Sequence, residues 1–253
     1  MDAHAPASQL PRVPTLPFHA LVLTTGCSAD SDILSLHGPH LGTADALNNF
    51  HSKAAQAKSI VVCGGGCSGV EVAGQFATYL DYSRHFPFRR QVPNPKRITL
   101  ISGGERCLPA LAPKYGAQAE RLLKGLGVAV KHGVRVTEAK EWSDQTGATR
   151  LDLTDDTQIV ADLYVACTGV KPNSHYAPSH MKDEKGYILT NAASMRCDTA
   201  GVRIYSIGDI ASYSQNSVPD VYAAVPVVMH NMLNDLLRYE FEPVAASYGG
   251  SNN

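Results

Sequence analysis

A chain of 253 residues can bury a sizeable core, as one large domain or two small ones. It is 44% hydrophobic and 18% charged with a formal net charge of −1, which gives no electrostatic reason to expect nucleic acid or an anionic membrane as a partner. Six cysteines without a single C-x-x-C pair exclude a zinc ribbon and a thioredoxin-like motif, and read as free thiols in a reducing compartment.

No apolar run approaches the ~18–20 residues that a transmembrane helix needs. The N-terminus lacks the basic and apolar regions of a secretory signal, so the expected address is cytoplasmic. Residues 1–17, rich in Pro and Ala, read as a leader. The run from Phe18 to Gly26 is apolar and stopped by glycine, which predicts a buried strand. Thr43 is placed to cap a helix whose apolar stripe is Leu47, Phe50, Ala54 and Ala57.

Lys58–Cys63 is a β-branched strand signal, and Gly64, Gly65, Gly66, Cys67, Ser68 and Gly69 follow it without a gap. Val70, Ala73, Ala77 and Leu80 then mark one face of a helix. Beyond a polar, proline-containing loop (89–96), Arg97–Ile101 is a second strand. Ala119, Leu122, Leu123 and Leu126 lie on one stripe of a second helix, and Gly127 is placed to end it before a third strand at Val128–Val130. This βαβαβ order predicts a parallel sheet with right-handed crossovers. The pattern then changes to short strand signals at 134–142, 150–154 and 158–165, with turns at Asp144–Gly147 and Asp155–Asp156, as in an antiparallel meander. A final helix is predicted from Val221 to Tyr239, and 241–253 reads as a polar tail.

The strand–turn–helix setting is what gives the G-x-G-x-x-G spacing its meaning. Gly64 permits the tight turn, Gly66 lets backbone approach a diphosphate, and Gly69 lets the helix pack close to the sheet. Free N–H groups and partial positive charge at the helix N-terminus suit phosphates. A P-loop would need Lys then Ser or Thr where Val70-Glu71 stands, and a nucleophile elbow would need Gly at position 70. Both are excluded.

Four segments, in order, resemble the pyridine nucleotide-disulfide oxidoreductase superfamily, in particular apoptosis-inducing-factor-like oxidoreductases and type II NADH dehydrogenases. Gly64–Gly74 resembles the nicotinamide-binding fingerprint of that group. Leu21–Gly26 resembles the strand where the chain crosses from a flavin to a nicotinamide domain, and Asp162–Asn173 resembles the returning strand. Ile204–Asp209 resembles the segment whose Asp binds FAD.

The resemblance implies an enzyme that passes hydride from NAD(P)H to FAD and electrons on to a small acceptor such as a quinone. It implies cofactor contacts at Thr25, Gly26, Gly64, Gly65, Gly66, Cys67, Ser68, Gly69, Thr168, Gly169, Gly208 and Asp209, with Glu71 beside the flavin–nicotinamide contact. Glu71 reads equally as a solvated helix residue in a dipole-favoured position, and Asp209 as a helix N-cap.

The expected fold class is α/β: a Rossmann-like NAD(P)-binding domain at 50–170, and an incomplete FAD-binding domain from 18–49 with 171–240. The group's opening G-x-G-x-x-G unit and its C-terminal domain have no counterpart here. The alternative is therefore a non-catalytic module, or truncated remnant, that binds NAD(P) but not FAD. Apolar surface in the flavin part predicts self-association.

The second strand ends at neutral Ser102, the ribose position, where Glu105 would favour NAD and Arg106 NADP. That choice stays open. A dehydrogenase with a single Rossmann domain would need a proton-transferring residue, for which His175, His180 and His230 are the candidates by type.

Overall fold

The computed structural model describes residues 16–79, 96–142 and 147–241. Strands β1 (Leu21–Leu23) and β2 (Cys27–Ala29) precede α1 (His40–Gln56), β3 (Ser59–Cys63), α2 (Cys67–Tyr79), β4 (Arg97–Ser102), α3 (Pro113–Gly125) and β5 (Ala129–His132). Then follow β6 (Val136–Glu141), β7 (Thr149–Leu153), β8 (Gln158–Ala161), β9 (Leu163–Ala166), β10 (Val170–Pro172), β11 (Ile204–Ser206) and α4 (Val218–Phe241). The chain forms two compact units, one from Cys27–Lys171 and the other from the chain up to Gly26 and from Pro172 onward. Leu80, the loop up to residue 95, the turn residues Asp144–Thr146, the leader before residue 16 and the tail beyond 241 lie outside the described residues.

The Cys27–Lys171 unit is built on a four-stranded sheet of order β5-β4-β3-β9, parallel throughout. The central strands β3 and β4 are buried on both faces, and the strands' period of two sorts the side chains. Ile60, Val62, Ile98, Leu100, Leu163 and Val165 pack with Ala73, Phe76 and Ala77 of α2 and Leu123 of α3. Val61 and Ile101 face the other way, onto Leu151, Leu153 and Ala161 of the antiparallel β6-β7-β8 meander. Helices, parallel sheet and meander form three layers, as a βαβαβ unit with appended strands requires.

The helix ends show why they fall where they do. At the end of α3, the Gly127 N–H donates to Lys124 O (2.9 Å) and the Val128 N–H to Leu123 O (3.0 Å), with Gly127 at φ +84°. Buried Val128 and Leu123 share the same core, which completes a Schellman cap. The Lys96 ammonium donates to three carbonyls at the end of α1, those of Ala54, Ala55 and Ala57.

Some expectations are corrected. Thr43 is not a cap: α1 begins at His40 behind Pro39, with no side-chain cap, so Thr43 lies inside the helix. Leu47 and Leu122 are 40% and 61% exposed. In α3 the buried positions are Gly116 and Leu123, because a side chain at 116 would collide with Cys107 O and only glycine lets the helix sit that close.

The single strand expected at 158–165 is two strands, β8 in the meander and β9 in the parallel sheet. Asp162 is the corner between them, its Oδ2 accepting the N–H groups of Lys58 (2.8 Å) and Ser59 (2.9 Å) at the start of β3.

In the other unit, β1 pairs in parallel with β11, Leu21 opposite Ile204. Tyr205 is fully buried with Met195, Ala224 and Val228 against α4. The Arg196 guanidinium grips Asp235 of α4 through Nε (2.9 Å) and Nη2 (2.8 Å), and the Tyr205 hydroxyl donates to the same carboxylate. Helix α4 begins at Val218, ahead of the expected Val221, and leaves Val218, Tyr222, Met229, Leu233 and Leu237 exposed. Among the described residues no helix is long and apolar enough to cross a membrane.

Asp162→Ala removes a charged acceptor from two backbone donors and should cost about 1–3 kcal/mol of stability. Thermal unfolding should show a midpoint several degrees lower. An unchanged midpoint would mean that the corner is held by other contacts.

Candidate functional site

The glycine turn joins β3 to α2 at the carboxyl end of the parallel sheet. Each glycine there has a different reason. Gly64 has φ +127°, and a Cβ on it would run into Cys167 O, just past the neighbouring strand β9. A Cβ on Gly65 would strike Ser102 Oγ, and one on Gly69 would strike Gly64 O. A Cβ on Gly66 would meet nothing within 4 Å. Three glycines are thus required by packing, and the fourth faces open space.

The first helical bond of α2 runs from the Val70 N–H to Gly66 O (3.1 Å), which leaves the N–H groups of Cys67, Ser68 and Gly69 without intrahelical acceptors. The open space therefore lies where a helix N-terminus presents donors and partial positive charge.

This turn borders a cavity of about 670 Å³, well within the range of small-molecule sites. Of the residues singled out in the sequence, Gly64, Gly65, Gly66, Ser102, Thr168 and Gly169 line it. Cys67, Ser68 and Gly69 belong to the first turn of α2 but do not line it, and Glu71 is exposed on the next turn of that helix. Ser102 is 2% exposed, and its hydroxyl donates to Gly104 O (3.3 Å).

Arg106 is not at the cavity. Its guanidinium donates to the carbonyls of Pro109 (2.7 Å), Leu111 (2.9 Å) and Leu108 (3.4 Å), and so braces the loop after β4. Leu108 in turn donates its N–H to Gly65 O (2.7 Å), which ties that loop to the glycine turn. The sequence reading missed Arg135, Tyr164 and Glu138, which line the cavity from the β5–β6 bend, β9 and β6. Arg135 had no motif to point to it, since it follows the third strand and spacing rules look to the second.

The remaining candidates lie in the other unit. Thr25 Oγ1 donates to Asn173 O (3.0 Å), the Asn173 amide returns a bond to Thr25 O (2.9 Å), and the Asn173 N–H donates to Gly26 O (2.9 Å). Outgoing and returning segments are thereby clamped together. A cavity of about 370 Å³ is lined by Gly26, Gly208, Asp209 and the start of α4, while Thr25 stays outside it. Gly26 and Gly208 have φ of +66° and +76°, the left-handed region that favours glycine. Asp209 lies in the turn after β11, well before α4, and is not that helix's N-cap.

A parallel α/β sheet with an antiparallel meander on one face and a glycine-lined cavity at its carboxyl edge is the architecture of FAD- and NAD-binding flavoprotein reductases. The family described as pyridine nucleotide-disulphide oxidoreductase matches residues 8–227, and the chain belongs to it. Proteins of this family use FAD and NAD(P)H.

Oxidoreductase phnG of Penicillium herquei is 34% identical over 225 residues, 87% of this chain and 54% of that protein. Type II NADH:quinone oxidoreductase NdhA of Mycobacterium tuberculosis is 32% identical over 114 residues, 44% of this chain and 24% of that protein. The crystal structure of LpdA from Mycobacterium tuberculosis superposes with a TM-score of 0.60 at 15% identity, covering 85% of this chain and 42% of that one. The chain spans about half, or less, of the length of these curated relatives.

No cysteine is paired in a disulfide among the described residues. Burial pushes the thiols of Cys63 and Cys107 up, and those of Cys167 and Cys197 up to about 11. At Cys167 the neighbouring Cys63 adds to the effect, while at Cys63 the Arg135 charge, a bond to the Tyr164 hydroxyl and the Val136 backbone pull back. Tyr164 is itself raised to about 12, first by burial and then by Cys63.

A thiol whose pKa is raised in the folded state favours folding below its ordinary value of 9.0, and that advantage disappears as pH rises through about 11. Stability should therefore fall between those two values. At about pH 8, iodoacetamide should label exposed Cys67 before Cys63, Cys107, Cys167 and Cys197. Mass spectrometry reads the order; labelling of Cys167 as fast as Cys67 would contradict it.

Proposed function

We propose that the Cys27–Lys171 unit binds NAD(P)H, and that the other unit contributes part of an FAD site. In this reading the chain is the working part of a flavin-dependent NAD(P)H oxidoreductase that delivers electrons to a small acceptor such as a quinone. The observation that carries the reading is the asymmetry of the glycine turn. Gly64, Gly65 and Gly69 are closed in by backbone and Ser102, whereas Gly66, at the start of α2, lines the cavity with open space where a side chain would go.

The diphosphate of the dinucleotide is assigned to that opening, held by backbone N–H groups and helix dipole rather than by side-chain cations. Ser102 and the loop braced by Arg106 would form the floor of the adenosine half. Thr168 and Gly169, after β9, border the same cavity and are assigned to the nicotinamide half. Glu71, exposed on α2, is the carboxylate proposed to meet the nicotinamide–flavin contact.

Gly26, Gly208 and Asp209 are assigned to the flavin, their cavity being wide enough for part of it. Bound NAD(P)H supplies the hydride and bound FAD the two-electron relay. The exposed apolar side chains of α4 support the expected self-association.

Gly66→Val tests the reading. Its side chain would enter open space, so the fold should persist with a nearly unchanged thermal midpoint. It would occupy the diphosphate position, so affinity for NADH and NADPH should drop at least about tenfold, about 1.4 kcal/mol. Unchanged affinity in a folded variant would overturn the assignment. Wild-type chain that binds dinucleotide but no flavin would favour the non-catalytic module instead.

A further inference from the structure

The choice between the two nicotinamide nucleotides rests on what meets the 2′ position of the adenosine ribose. In a sheet of this kind that position lies at the carboxyl end of the second strand, where an acid accepts from a 2′-hydroxyl or an Arg receives a 2′-phosphate. Here that strand is β4, which ends at Ser102. Ser102 is neutral, buried and bonded to Gly104 O. Glu105 is exposed and does not line the cavity. Glu138 does line it, but its carboxylate is paired with Lys140 at 2.7 Å. Arg106, the cation that spacing favours, has its guanidinium turned onto three carbonyls of its own loop.

Arg135 differs from all of these. Its backbone is clamped on both sides by Thr154: the Arg135 N–H donates to Thr154 Oγ1 (3.0 Å), and the Thr154 N–H donates to Arg135 O (3.0 Å). From that fixed base the side chain lies over Gly103. A Cβ at Gly103 would stand 2.8 Å from Arg135 Cγ and 3.0 Å from Cζ and Nε, so a side chain at 103 would displace the Arg. The guanidinium has no hydrogen-bond or ion-pair partner among the described residues, and Arg135 borders the cavity with Ser102, Gly103 and Gly104. A planar cation with five unspent donors matches the oxygens of a phosphate monoester and has no equivalent match to a hydroxyl.

We infer that Arg135, held over Gly103, receives the 2′-phosphate and makes NADPH the preferred nucleotide of this chain. The inference rests on the assignment of the cavity to a dinucleotide. It adds which dinucleotide, and it moves the discriminating cation from the second strand's loop to the bend after the third.

Calorimetric titration of the purified chain and of Arg135→Met with NADPH and NADH tests it. The variant keeps both backbone bonds and the aliphatic stem, so it should fold as the parent does. The parent should bind NADPH at least about tenfold more tightly than NADH, the ratio expected of a charge-assisted contact. Arg135→Met should lose that advantage while its affinity for NADH stays within about twofold. Equal or tighter binding of NADH by the parent would overturn the inference, as would a loss of affinity by the variant that is the same for both nucleotides. Failure of the folded parent to bind either nucleotide would overturn the dinucleotide assignment itself, and the inference with it.

Discussion

The contact on which this structure turns is between backbone atoms. Helix α2 can start directly after β3 only because its first turn rests on Gly64 O at Gly69, while Gly64 itself rests on Cys167 O just after β9. Any side chain at either position would push helix and strand apart. With both glycines present, the helix N-terminus is brought to the carboxyl edge of the sheet, where its first N–H groups lack intrahelical acceptors. The same closeness that packs the core thus creates the polar opening above it.

Among the described residues that line the cavity only Arg135 and Glu138 are charged, and nearby polar groups are already engaged. Ser102 is neutral and turned inward, Arg106 is spent on carbonyls, and Lys131 is paired with Asp155 at 2.8 Å. A site that relies on N–H groups and a helix dipole for a diphosphate is insensitive to the net charge of the chain, which is near zero. Among the described residues that line the cavity, Arg135 is the one cation, and its guanidinium has no hydrogen-bond or ion-pair partner there. Tyr164, the buried Cys63 thiol and the half-buried Cys167 thiol are uncharged near neutral pH, since burial raises all three. The rear of the cavity is therefore electrically quiet.

The first three strands of the parallel sheet were legible because β3 and β4 are rich in β-branched residues and the helices carry a period of 3.6. The βαβαβ succession and the layers followed from that pattern, while β9 as the fourth strand did not. Gly127 was legible because a Schellman cap has a single-residue signature. What stayed hidden depended on partners distant in sequence. The break at Asp162 is made by N–H groups of Lys58 and Ser59, and both halves of 158–165 look like one apolar strand.

Leu122 fits the stripe of α3, but the close approach of Gly116 to Cys107 O rolls the helix so that Leu123 is buried and Leu122 is not. Thr43 fails as a cap because Pro39 starts the helix a turn earlier. The turn glycines of the site were readable from spacing, whereas Arg135 reaches the cavity only through the fold of the meander, by way of Thr154.

The central claim is that the backbone amides at the start of α2 hold a diphosphate. The most direct measurement is a two-dimensional amide spectrum of the isotope-labelled chain titrated with ADP-ribose, which carries the diphosphate without the nicotinamide. The largest shifts should fall on Gly65, Gly66, Cys67 and Ser68, with smaller ones along the loop after β4. Shifts confined to other elements, with these amides unmoved at saturation, would contradict the account.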